Sequence, residues 1–140
     1  MRNIFPTKLK NMKYLDELKS LNLPQLQFAI FGSGPMAIRG IRESNDIDVI
    51  VKQNLWKTLV NRYQSSLQDN PPCLKICNIE IYKKWPVVTD TIDELIDSAE
   101  KIKDFPFVQL KYVIEWKKYS GRKKDLKDIE LLEKYQGDRG

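Results

Sequence analysis

The stretch FAIFGSGPMAIRGIRESNDIDVIVK, Phe28 to Lys52, decides how the rest of the chain is read. Phe28 to Phe31 is apolar and bounded by Gly32, which predicts a short buried strand. Gly32, Ser33 and Gly34 turn the chain, and Pro35 suits the first helical position, where no backbone N–H is needed. Ser33 or Gly34 is the expected N-cap, leaving backbone N–H groups at which a phosphate can dock. Met36 to Gly40 reads as a short helix, Arg42 to Asn45 as a polar loop, and Asp46 to Val51 as a second strand. Strand side chains alternate, so Asp46 and Asp48 share one face while Ile47 and Val49 take the other. Two carboxylates on one face raise each other's pKa unless a cation sits between them. Hard divalent ions with oxygen ligands, Mg2+ above all, resolve that repulsion. Asp-x-Asp by itself is ordinarily a surface pair on an edge strand. Downstream of a Gly-Ser turn and a short helix, it points to nucleotide chemistry.

Outward from this stretch, Lys8 to Leu21 carries Leu9, Met12, Leu15 and Leu18 at helical spacing and predicts an amphipathic helix ended by Asn22-Leu23-Pro24. Asn54 to Leu67 predicts a second one, with Leu55, Leu59, Tyr63 and Leu67 as its stripe, Trp56 and Val60 beside it, and Asn54 as N-cap. Asp69-Asn70-Pro71-Pro72 breaks the chain. Leu74 to Trp85 is rich in β-formers, with a strand centred on Asn78 to Tyr82 and a hairpin partner at Leu74 to Ile76. Glu80 points opposite to Ile79 and Ile81. On a half-exposed strand it simply faces water; beside the Asp46–Val51 strand it completes a cluster of three carboxylates.

Thr91 to Ile102 reads as a helix capped by Thr89, Asp90 or Thr91, with Asp93 and Glu94 in its first turn and Ile92, Leu95, Ile96 and Ala99 buried. Phe105 to Val108 is an extended or turn segment over the core, and Val108 to Tyr119 a helix closed by Ser120-Gly121. Arg122 to Tyr135 forms the last helix, with Leu126, Ile129, Leu132 and Tyr135 inward and residues 135–140 a frayed tail. That helix pair brings Lys117, Arg122 and Lys124 to one corner, where they can hold a triphosphate or neutralise charge on leaving pyrophosphate. Without the upstream motif the same residues read as a solvated helix laced with Lys/Asp pairs.

The 140 residues suit one domain with one core, and no internal repeat or linker divides them. A hydrophobic share of 41% with 31% charged residues is that of a soluble globular protein, and no run is long enough to span a membrane. The opening MRNIFPTKLKNMKYL lacks the apolar core and cleavage site of a signal peptide, and Cys73 and Cys77 read as free thiols in a reducing cytoplasm. There is no His, which removes Ser-His and Cys-His catalysis and argues against a zinc site. A net charge of +5 suits an anionic ligand, but the charges are scattered and lack the aromatic interleaving of a nucleic-acid surface.

Gly32-Ser33, twelve residues, then Asp46-Ile47-Asp48-Val49 resembles the signature of the DNA polymerase beta-like nucleotidyltransferase superfamily. Arg42-x-Ser44-x-Asp46-Ile47-Asp48 is similar to the local form in its small-substrate branch. Lys117, Arg122, Lys124, Asp125 and Asp128 match the basic C-terminal element of lincosamide- and aminoglycoside-type members. The resemblance implies an α/β (α+β) nucleotidyltransferase fold: a short mixed sheet, flanking helices and a C-terminal helical pair in a single domain, residues 1–140. It implies Mg2+ or Mn2+ held by Asp46, Asp48 and a third acidic residue, for which Glu80 is the candidate. A nucleoside triphosphate such as ATP would be bound by Gly32, Ser33, Arg42 (with Arg39 a further candidate), Lys117, Arg122 and Lys124. An NMP group would pass to an acceptor hydroxyl with loss of pyrophosphate. Antibiotic-modifying relatives imply a small-molecule acceptor; toxin–antitoxin relatives imply a protein or RNA acceptor. The chain lacks an evident acceptor-binding domain, so a homodimer or toxin partner would complete the site. The alternative is a non-catalytic partner-binding or antitoxin protein that retains the fold.

Overall fold

The computed structural model describes residues 12–86 and 89–139. Among them lies a mixed α/β arrangement of one seven-stranded mixed sheet and six α-helices. In chain order the elements are α1 (Leu15–Ser20), β1 (Phe28–Phe31), α2 (Gly34–Ile38), β2 (Ile47–Val51), α3 (Gln53–Arg62), β3 (Leu67–Gln68), β4 (Cys73–Ile76) and β5 (Ile79–Tyr82). They continue as α4 (Ile92–Asp97), β6 (Glu100–Ile102), β7 (Phe105–Phe107), α5 (Leu110–Ser120) and α6 (Lys123–Arg139). The sheet order is β3-β4-β5-β2-β1-β7-β6. β2 is central, antiparallel to β1 and parallel to β5.

Strand alternation builds two cores from one sheet. Phe28 and Ile30 of β1, Ile47, Val49 and Val51 of β2, and Ile79 and Ile81 of β5 face Leu18 of α1 and Leu55, Trp56 and Leu59 of α3. Ala29 and Phe31 of β1 and Ile50 of β2 face Met36, Leu95, Val113 and Leu132 on the opposite side. On that second face Asp48 of β2 and Glu80 of β5 stand side by side where the first face carries aliphatics.

Several expected boundaries move. Among the described residues the first helix is α1; Met12 makes an isolated bridge to Ser44, and residues 8–11 of the expected helix, Leu9 among them, lie outside the described residues. Helix α3 starts from Lys52 as N-cap, not Asn54, whose carbonyl accepts from Thr58. It ends at Arg62, so Leu67 is an exposed edge-strand residue rather than part of a stripe. The segment from Thr91 splits into α4 and strand β6, because Phe105–Phe107 joins β1 and offers β6 an antiparallel partner. A free strand edge outcompetes the last turn or so of helix there.

Of the three cap candidates Thr91 is the one used, in a capping box with Glu94. Thr91→Ala is expected to cost about 1 kcal/mol, read as a lower urea midpoint at unchanged slope. The last helix runs to Arg139 in place of a tail frayed from residue 135. Its buried face is Asp125, Asp128, Ile129 and Leu132, while Leu126 is 54% exposed. The stripe is turned by one residue because two aspartates, rather than a leucine, meet a buried lysine on α5.

Candidate functional site

The carboxylates of Asp46, Asp48 and Glu80 each bring an oxygen within 4.8 Å of the others. Their approach follows from register: Asp48 pairs with Glu80 across parallel β2 and β5, and Asp46 sits one residue ahead of β2 on the same side. Ser44, buried in the preceding loop, donates its hydroxyl to the Asp46 carbonyl at 2.6 Å and fixes the entry into the strand. Three hard oxygen donors at this spacing suit a hard divalent cation.

The electrostatics point the same way. The Asp48 carboxyl is pushed up from 3.8 to about 7, first by burial and then by the charges of Asp46 and Glu80. Burial and Glu80 also raise Asp46, against the cations Lys75 and Lys124. Burying a like-charged trio is unfavourable until positive charge enters it.

Gly32 closes the other side. Phe31 pairs with Asp48 across β1 and β2, so the turn after β1 lies directly against the carboxylate. Gly32 has φ +60°, and a Cβ there would collide with Asp48 Oδ2. Gly32→Ala should therefore cost about 1–3 kcal/mol in backbone strain and displace the Asp48 carboxylate. A Mg2+ titration that leaves cation affinity untouched in a folded Gly32→Ala protein would contradict the second half of that expectation.

Ser33 is the N-cap of α2, yet its side chain makes no cap hydrogen bond. Its Oγ instead accepts from Arg42 at 2.9 Å. Arg42 also donates two hydrogen bonds to Asp128, at 2.8 and 2.9 Å. Asp128 receives Lys117 Nζ at 2.8 Å on the same oxygen that takes one of those bonds, and Lys117 stands 3.6 Å from Asp125. Asp125 accepts from Arg122 at 2.7 Å across the first turn of α6 and from Ser120 at the end of α5. This chain of charges runs from the Gly-Ser turn to the α5–α6 corner.

The sequence-chosen cations thus have unequal positions. Lys117 is only 2% exposed and fully engaged with carboxylates; its charge reaches the triad through space, lowering Asp48. Lys124 is exposed and acts on Asp46 in the same sense. Arg122 is half exposed at the corner. Arg39 lies elsewhere, clasping Pro35 and Glu100.

The chain matches no protein-family model, no curated protein and no solved structure.

Some residues of the site were not singled out from sequence. Tyr82 donates to Glu80 Oε1 at 2.7 Å, and Lys75 lies 3.8 Å from the other Glu80 oxygen. Both could have been found by period-two counting, since Tyr82 is two residues from Glu80 and Lys75 is its cross-strand partner. Trp85 and Trp116 meet edge-to-face with ring centroids 5.0 Å apart, beside Tyr82 and Phe31. No local pattern brings a post-strand loop to the middle of α5. The cysteines are free thiols, Cys73 buried and Cys77 exposed, and burial pushes the Cys73 thiol up, which keeps it protonated.

Proposed function

We propose that this chain is a divalent-metal-dependent nucleotidyltransferase with the sheet arrangement of that superfamily, moving an NMP group from a nucleoside triphosphate to an acceptor hydroxyl. The observation that carries the reading is the meeting of Asp46, Asp48 and Glu80 on adjacent parallel strands directly beside the Gly32-Ser33 turn. Asp46 and Asp48 would hold Mg2+ or Mn2+, with Glu80 as third ligand. When bound, the cation supplies Lewis-acid stabilisation of phosphoryl and leaving-group oxygens.

The chain's own residues do the rest. Gly32 keeps the turn close to Asp48, so that phosphates can approach the backbone. Ser33 Oγ, oriented by Arg42, offers a hydroxyl to the same phosphates. The acceptor oxygen forms a bond to the α-phosphorus as the bond to pyrophosphate breaks, and Glu80, held by Tyr82, takes the hydroxyl proton. Lys124, on the exposed corner, counters the charge left on pyrophosphate, while Arg122 lines the neighbouring cavity. Free thiols suit a reducing cytoplasm. Among the described residues no helix is long and apolar enough to cross a membrane.

Isothermal titration of ATP, GTP, CTP and UTP with Mg2+, then in EDTA, tests the reading. Metal-dependent binding that disappears in Asp46→Asn/Asp48→Asn is expected. Absence of binding by all four nucleotides would overturn it in favour of a partner-binding module that keeps the fold without the chemistry.

A further inference from the structure

Beside the triad lies a cavity of about 510 Å³, lined by Tyr82, Trp85, Trp116, Lys84, Ser120 and Arg122 among others. It is one side chain away from the carboxylates, because Tyr82, whose hydroxyl donates to Glu80, lines it. Its volume falls in the range of small-molecule sites. Its aromatic walls suit a flat ring, which stacks on aromatic side chains whatever its sequence identity.

The polar lining is one-sided. The indole N–H of Trp85 is buried and has no hydrogen-bond partner among the described residues. Arg122 commits its Nε and one amino group to Asp125, and the other amino group makes no bond among the described residues. Lys84 adds an ammonium, a donor only. The Tyr82 hydroxyl proton is already given to Glu80, and the Ser120 hydroxyl bonds to Asp125. Among the side chains of this wall, acceptors are confined to hydroxyl oxygens, while donors await a partner. An orphan donor in a cavity wall is satisfied by a ligand that brings an in-plane acceptor to it.

We propose that this cavity seats the nucleobase of the nucleoside triphosphate and selects bases with a carbonyl at the purine 6- or pyrimidine 4-position, guanine and uracil, over those with an amino group there, adenine and cytosine. The inference rests on the nucleotidyltransferase reading above and extends it to the identity of the nucleotide. Guanine offers two adjacent acceptors and uracil a carbonyl where adenine and cytosine offer an N–H2 donor. An amino group turned toward Trp85, Arg122 and Lys84 meets donors and leaves both sides unpaired.

The test is a titration of GTP, UTP, ATP, CTP and inorganic tripolyphosphate, each with Mg2+, into the wild-type chain, Trp116→Ala and Trp85→Phe. Tripolyphosphate carries the charge and metal ligands without a base. Expected is binding of GTP and UTP at least about tenfold tighter than tripolyphosphate, with ATP and CTP between. Trp116→Ala should bring all four nucleotides close to tripolyphosphate, whose own affinity stays. Trp85→Phe keeps an aromatic ring on Phe31, so it should fold and should narrow the gap between GTP or UTP and ATP or CTP. Wild-type affinities for nucleotides equal to that for tripolyphosphate would overturn the proposal while leaving the metal site standing. So would nucleotide binding that is indifferent to Trp116, which would assign the cavity to the acceptor instead. A ranking that favours ATP and CTP would also overturn it. Loss of tripolyphosphate binding in Asp46→Asn/Asp48→Asn is the separate check on the site itself, and wild-type protein that binds none of the ligands would sink both readings together.

Discussion

Asp48→Asn is expected to abolish metal-dependent nucleotide binding and, in the same protein, to stabilise the metal-free chain. The two effects have one origin. Asp48 is pushed up to about 7 by burial first and by Asp46 and Glu80 second. A carboxyl whose folded pKa is raised contributes stability that is fully present below its unfolded value, about 3.9, and is lost as pH rises through about 7. The metal-free wild type therefore weakens across that window, and asparagine, neutral throughout, does not follow it. At about pH 8 the variant should be more stable by on the order of 2 kcal/mol. Thermal melts in EDTA between about pH 4 and pH 8 check this: the variant should melt higher at the alkaline end and show the flatter profile. Mg2+ should raise the wild-type midpoint by mass action and leave the variant nearly unmoved. Transfer activity should fall about a thousandfold or more, because a bound cation supplies several kcal/mol of charge stabilisation in the transition state at about 1.4 kcal/mol per factor of ten. A variant less stable than wild type in EDTA at the alkaline end would contradict the electrostatic account. A variant that kept both Mg2+ response and nucleotide binding would contradict the site.

Lys117→Met should bring the largest loss of stability. Its ammonium lies between two aspartates that are themselves almost wholly buried, 2.8 Å from Asp128 and 3.6 Å from Asp125. Removing one member of a buried ion cluster strands the others, at about 3–5 kcal/mol. Arg42 and Arg122 remain on the two carboxylates, which sets the expectation at the lower end, about 3 kcal/mol. Urea unfolding against Lys124→Met, an exposed lysine expected to stay within about 0.5 kcal/mol, provides the comparison.

The pH dependence has the opposite sign to that of Asp48. Burial pushes Asp125 up, but hydrogen bonds from Arg122 and Ser120 and the Lys117 charge outweigh it and hold the carboxyl at about 2. Burial likewise opposes Arg42 and Lys117 at Asp128, and again the cations prevail. Depressed carboxylates contribute stability that is present above about pH 4 and lost as the pH falls toward about 2. The deficit of Lys117→Met should therefore shrink in acid, where the stranded carboxylates protonate. An equal deficit at both ends of the range would mean that the lysine acts through packing alone.

Local periodicity determined the parts of this molecule whose partners are near in the chain. The Gly32-Ser33 turn, the strands on either side of it, the Cys73–Tyr82 hairpin and the α5–Gly121–α6 pair follow from alternation, turn residues and a C-terminal glycine, each of which acts within a few residues. Alternation also puts Asp46 and Asp48 on one face and Glu80 opposite its isoleucines, so all three carboxylates of the candidate site are legible in the sequence. Tertiary structure alone decided that β5 lies parallel beside β2, which is what turns Glu80 from a solvent-facing glutamate into the third member of a cluster. It alone converted residues 100–102 from helix to strand, since a hydrogen-bonding edge formed by β7 is not present in the local sequence. It also turned α6 so that Asp125 and Asp128 face inward while Leu126 faces water. A hydrophobicity pattern scores an aspartate as exposed, and only the arrival of Lys117 and Arg42 from other elements makes its burial favourable. Charge pairing and strand adjacency depend on groups far apart in the chain, and so they are settled when the chain closes on itself rather than in any one stretch of it.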